Sequence, residues 1–358
     1  MSWLLAFLGF AALIMFHEAG HFAAAKAVGM RVERFSLFFG PMLVKWRRGD
    51  TVYGIGPIPL GGYVKITGMN PREELPPEVA ARGYFRQPVW KRIVVIAAGP
   101  AVNLVIAFVL LWGIFGLHGS YNANSSVDQV AAGAPATGKL RHGDKVVAVD
   151  GRRGSFDSLR NEINTHRCTG PQAGGCRAAT PAIVTVQRGG EELTFAIRPR
   201  YDAQQGRMLL GFTRGSTLHR YTGLSGARES VSTMWQISSK TVSTVVGVFF
   251  SSKDRKQVNS VVGAYETTRQ SFQLNTATAL FVLAVISLSL AIINLFPFLP
   301  LDGGHIFWAL AEKVRGRAIP FSVMERASAV GIALVLFIFV IGFSNDISRL
   351  NGQGFGVR

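Results

Sequence analysis

Hydrophobic and polar positions along this chain fall into long blocks. Four apolar runs stand out, roughly Trp3–Ala27, Ile93–Leu117, Thr276–Leu299 and Ala327–Phe343. Each has about the ~17–25 residues that cross a bilayer as a helix. They predict a membrane α-helical bundle of four transmembrane helices, over 1–28, 93–117, 276–304 and 327–344. The first run is read as a retained helix and not a cleavable signal peptide. It has no basic leading segment, it is too long, and His17, Glu18 and His21 interrupt its apolar character.

The segments between the runs have their own patterns. In the 29–92 loop, Thr51–Gly56 and Gly62–Thr67 are β-prone stretches either side of a Pro/Gly turn. They predict a hairpin over 51–67. It has few charges for a loop, so it is expected to be membrane-associated, dipping in where protein or water covers its backbone. From 121 to 202 the chain is β-rich, and PAIVTVQRGGEELTFAIRPR predicts a hairpin turning at Gly189-Gly190. The 203–275 linker contains an amphipathic stretch at 229–250. It reads equally as a helix on the membrane surface or as one packed on the core.

Composition supports the membrane reading. Hydrophobic residues make up 48% and charged residues 16%, against about 25% charged in soluble domains. The net charge of +17 does not indicate nucleic acid, because the basic residues are spread over loops and no nucleic-acid module is visible. Many lie between the first two helices, from Arg31 to Arg92, and Lys313, Arg315 and Arg317 precede the fourth. Positive loops stay in the cytoplasm. The N-terminus and the 121–202 domain are therefore expected outside. Cys168 and Cys176 fall in that outer segment, where an oxidising compartment favours their pairing. With the opposite orientation they are two free thiols.

The candidate chemistry sits inside the first helix. His17-Glu18-Ala19-Gly20-His21 has the form HExxH. Positions i and i+4 share a helix face, so both imidazoles can reach one zinc ion, with Glu18 beside it as proton acceptor. The alternative is a polar cluster lining an ion or proton pathway. A catalytic zinc takes three protein ligands and a water. Asp302, presented where Pro297, Pro300, Gly303 and Gly304 break the third helix, supplies the third at matching depth. Alone it would read as an interfacial cap. Asn294 in the same run is a candidate to hold substrate backbone. Asn103 in the second helix suits either that or tying helices together. His305 is left out of the ligand set.

HEAGH in the first helix, GPAVN in the second and NLFPFLPLDGG in the third resemble the site-2 protease family of intramembrane zinc metalloproteases, in the same order and membrane placement. GKLRHGDKVVAVDG resembles the core of a PDZ domain, and PLGGYVKITGM the family's re-entrant β-loop. The resemblance implies a bacterial inner-membrane protein with one extracytoplasmic PDZ domain and an active site toward the cytoplasm. It implies zinc on His17, His21 and Asp302, with Glu18 as acid/base. Asn294 would hold a substrate strand, together with Gly61, Gly62 and Tyr63 on the β-loop. The substrate would be a single-pass membrane protein, such as an anti-sigma factor, already trimmed by another protease. Two rivals belong to other classes. One is a transporter using the same polar residues. The other is a catalytically silent PDZ adaptor.

Overall fold

A computed structural model describes residues 1–59, 61–70, 72–203, 205–352 and 354–355. The chain opens with α1 (Ser2–Ala27) and four strands, β1 (Val32–Leu37), β2 (Val44–Arg48), β3 (Thr51–Ile55) and β4 (Tyr63–Ile66). Then comes α2 (Val89–Leu117). A β-rich stretch follows with β5 (Ser120–Val130), β6 (Lys145–Val149), β7 (Arg152–Arg153), α3 (Phe156–Ile163), β8 (Ala182–Arg188), β9 (Glu191–Ile197), β10 (Arg200–Asp202), β11 (Arg207–Leu209) and β12 (Phe212–His219). The chain ends with α4 (Gly223–Gly247), α5 (Val261–Leu274), α6 (Thr276–Asn294), α7 (Asp302–Arg315) and α8 (Phe321–Leu350). It divides into two compact units, 119–221 and the remainder.

In the helical unit, α1, α2, α6 and α8 are long and apolar enough to cross a membrane. The protein is thus a membrane protein of four such helices with β-sheets. Helix α2 packs against α1, α6 and α7, and α5 packs against α1 and α6. Small residues permit close approach. A Cβ on Gly20 of α1 would sit 2.6 Å from the Ala98 carbonyl of α2. The stretch expected as one segment over 276–304 is divided, because α6 stops at Asn294 and α7 starts at Asp302. Pro297 and Pro300 cannot continue a helix. Side chains on Gly303 and Gly304 would overlap the 295–299 backbone. The amphipathic stretch expected at 229–250 is α4, which packs along α2 and α6. Its buried Gly226 and Ser230 leave no bulk in the way, and Ser230 Oγ donates to the Gly226 carbonyl. Helix α8 is the least buried span. Its Asp346 is fully buried and accepts from Ser260 N and Gly263 N, each at 2.8 Å, at the N-terminus of α5.

The sheet after α1 corrects the expected 51–67 hairpin. Both predicted strands exist, as β3 and β4, but they do not pair with each other. The order is β2-β3-β1-β4, with β1 between them, parallel to β3 and antiparallel to β4. The hairpin in this sheet is β2–β3, closed by Gly49-Asp50, with Gly49 at φ +60°. Strands β1 and β2 were both missed from sequence, and β1 is the one that separates β3 from β4. The charged Glu33 and Arg34 of β1 read as loop, yet Val32 and Ser36 are buried and Phe35 packs on Phe22 of α1 and Tyr53 of β3. Strand β4 is left at the sheet's edge.

The second unit is a sheet of order β12-β5-β6-β8-β9, with β7 on β6. Alternate residues of β6 and β8, such as Val146, Val184 and Val186, pack with Leu159 and Ile163 of α3 into one core. Strands β8 and β9 turn at Gly189-Gly190, both at positive φ, as a two-residue hairpin requires. The unit runs past the expected boundary at 202. Strand β12 returns to pair with β5, from Phe212 opposite Val130 to His219 opposite Ser120. Such long-range pairing leaves no local pattern. Cys168 and Cys176 are joined by a disulfide with Cα atoms 6.2 Å apart.

Candidate active site

His17 and His21 lie one turn apart on α1, both buried, and Asp302 is the first residue of α7. Their side chains converge. His17 Nε2 lies 3.3 Å from His21 Nε2, and each lies 3.4 Å from Asp302 Oδ2. These atoms form an almost equilateral triangle of lone-pair carriers. Two neutral imidazole nitrogens and a carboxylate oxygen repel one another unless a cation or shared protons lie among them. Tetrahedral zinc with bonds of about 2.0–2.1 Å separates its ligands by about 3.3–3.4 Å. The triangle therefore has the right size for zinc, as well as the right donors.

The surroundings set the imidazole orientations. His21 Nδ1 donates to the Val95 carbonyl of α2 at 2.9 Å. That places the proton on Nδ1 and leaves the Nε2 lone pair facing the triangle. The ring lies over Gly99, where any Cβ would overlap it. This accounts for the glycine of GPAVN. Asn103 of the same motif is fully buried, with its amide 3.2 Å from His17 Nδ1. Its backbone carbonyl accepts from Ser287 Oγ of α6 at 2.9 Å. Helices α1, α2 and α6 thus meet at this asparagine.

Glu18, half-buried, faces the sheet. A Cβ on Gly62 would come within 2.8 Å of Glu18 Cγ and of the Ser36 carbonyl. Gly62 is therefore the residue that lets the start of β4 approach Glu18. Gly61 has φ +155° and lies against the ring of Phe39, which stacks on Tyr63 with centroids 6.2 Å apart. Asn294 is half-buried at the end of α6, and no hydrogen bond joins it to His17, His21 or Asp302. His305 is outside the triangle.

Sequence reasoning missed one positioning pair. Arg92, 3% exposed at the start of α2, reads as one more loop charge. In the structure it grips Glu312 of α7 with two bonds of 2.6 and 2.9 Å. The pair fixes α7, and hence Asp302, relative to α2. With Tyr84, His305 and Trp308 it lines a cavity of about 130 Å³. The only available signal was an acidic residue on the helix that Asp302 begins.

A bundle of apolar helices that buries two histidines of an HExxH helix against a carboxylate defines a membrane zinc metalloprotease. The chain belongs to peptidase family M50, whose model matches residues 5–338. It is 30% identical to zinc metalloprotease Rip1 of Mycobacterium tuberculosis over 91% of each chain. It is also similar to "Putative zinc metalloprotease Cj1068" of Campylobacter jejuni, at 28% identity over 95% of this chain and 92% of that one. With "Putative zinc metalloprotease all3971" of Nostoc sp. it shares 30% identity over 99% and 98%. The protein is a zinc-dependent metalloendopeptidase.

Proposed function

We propose that the chain is a site-2-type endopeptidase that cuts single-pass membrane proteins within their spans, after another protease has trimmed them. The observation that carries this reading is the donor triangle of His17, His21 and Asp302 on apolar helices, with Glu18 between it and the open edge of β4.

His17, His21 and Asp302 would hold the zinc, and Asn103 and the Val95 carbonyl hold the two rings. The Asn103 amide serves best with Oδ1 toward His17 Nδ1. As placed, Oδ1 is buried without a partner, and amide orientation is an assignment that the hydrogen-bond network must satisfy. Turned, Oδ1 accepts the Nδ1 proton and leaves Nε2 free to ligate. When bound, zinc supplies an acidified water and polarises the scissile carbonyl. Glu18 takes the water's proton and passes it to the leaving amine. A helix hides its peptide bonds in its own hydrogen bonds, so the substrate must unwind. The edge of β4 offers the unwound strand backbone partners at Gly61, Gly62 and Tyr63, beside the proposed base. Asn294 holds the same strand further along. The cavity at Arg92, Tyr84 and His305 admits water from the cytoplasmic side.

In this reading the N-terminus and the β unit face outward in a bacterial inner membrane. The β unit is a PDZ domain that screens incoming substrates. The test is cleavage of a single-span substrate by purified protein in detergent, wild type beside Glu18→Gln. Cleavage by wild type alone, with zinc retained in both, supports the proposal. Equal cleavage by both removes Glu18 from the mechanism.

A further inference from the structure

We propose that a basic cavity on the β unit binds a multiply charged phosphate group. The cavity has a volume of about 430 Å³ and is lined by Lys139, Arg177, Arg198 and Arg200, facing the small residues Gly133 to Pro135. No residue of α3 or β12 lines it.

The cavity gathers four cations on one lining that carries no carboxylate among the described residues. Arg152, Arg153, Arg160 and Arg188 each lie within 3.5 Å of a carboxylate: Glu162, Glu192, Asp157 and Asp144 in turn. The cavity's four cations have no such partner among the described residues. Lys139 Nζ donates to the Ala196 carbonyl. The uncompensated charge is also held in place. Arg177 and Arg200 face each other across an antiparallel bridge, and like charges directly opposite are destabilising. The chain cannot relax apart there, because Tyr201 N donates to the Cys176 carbonyl and Ala178 N to the Pro199 carbonyl, both at 2.8 Å. The disulfide from Cys168 to Cys176 closes the loop just before Arg177.

An anion that accepts from several guanidinium groups at once offsets this repulsion. A single carboxylate has two oxygens and one charge, which three arginines and a lysine outnumber. Phosphate brings more charge and three accepting oxygens, and planar guanidinium forks suit it. The phosphate can belong to a lipid headgroup or to a soluble ion, and the chemistry at the cavity is the same.

The test uses the full-length protein in detergent, titrated with inorganic pyrophosphate by calorimetry at fixed salt. Saturable 1:1 binding is expected. It should weaken at least tenfold in Arg177→Ala/Arg198→Ala/Arg200→Ala, whose side chains are exposed, with unchanged melting temperature. The control Arg152→Ala/Arg153→Ala/Arg160→Ala should bind as wild type. Repeating the titration in nanodiscs assigns the source. Competition by phosphatidic acid but not phosphatidylcholine means a lipid headgroup, and no competition means a soluble phosphate. Three results would overturn the proposal: no saturable binding, equal weakening in the control variant, or an acidic peptide that saturates the cavity and is not displaced by pyrophosphate.

Discussion

Two glycines report on the site as directly as its candidate ligands do, because each stands where a side chain would strike a functional group. Gly99→Ala pushes into the His21 ring. It should lower zinc affinity by about 10–100-fold, the range for groups that orient a ligand, read by competition with a chelator. Gly62→Ala meets Glu18 instead. It should leave zinc content unchanged and reduce kcat. Glu18→Gln should likewise keep zinc and lose at least about 10²–10⁴-fold in cleavage, the contribution of a positioned base. His17→Ala, His21→Ala and Asp302→Ala should lose the metal itself. The convergence of His17, His21 and Asp302 was mostly legible in the sequence, since HExxH places two histidines on one face by helical geometry alone. The roles of Gly62 and Gly99 were not, because a glycine's neighbours across a helix or strand interface leave no mark on its own segment.

Among the elements, α7 is placed by the Arg92–Glu312 pair and by the glycines beneath its first turn. Arg92→Met leaves Glu312 without its cation. It should destabilise the detergent-solubilised protein by about 2 kcal/mol, less than the ~3–5 for a fully buried pair because Glu312 is partly exposed. Arg92→Met/Glu312→Met should recover most of the loss, as measured by thermal unfolding. In the β unit, Asp144 is buried at the start of β6. It accepts from Arg188 Nε and Nη2, both at 2.7 Å, and from Arg141 N at 2.8 Å. The Arg188 guanidinium holds its carboxyl below the usual carboxylate range. A depressed folded-state pKa adds stability that is fully present above the unfolded value near ~3.9 and is lost as pH falls through the folded one. Protease resistance of the β unit should therefore fall below about pH 4. Asp144→Asn should be less stable at neutral pH and show a shallower loss on acidification. The elements themselves were mostly readable from their periods. Failures came at partner choice: KWRRGDTVYGI carries a Gly-Asp turn that marks the true hairpin, while attention to the Pro/Gly turn paired β3 with β4. The charges of β1 concealed the strand that separates them.

Taken whole, the molecule has two cores that share no metal. The residues that would hold zinc lie on α1 and α7, so its binding energy should appear in the helical unit. Stripping the metal with a chelator should lower that unit's unfolding temperature. A ligand at 1,000 times its Kd stabilises by about 4 kcal/mol, and the β unit's transition should not move. Calorimetry of the holo and stripped protein checks this. The return of β12 to β5 was the largest feature hidden from sequence, since nothing near residue 212 points to residue 130.

The open edge of β4 beside Glu18 has a consequence for selectivity. An edge strand bonds to peptide groups that every sequence possesses, so it does not read letters. If spans are recruited there, what distinguishes one from another is how cheaply each surrenders its coil. Glycine costs a helix about 1 kcal/mol and proline about 3 relative to alanine. A cleavage map over many spans should then follow local melting free energy, with consensus motifs contributing little.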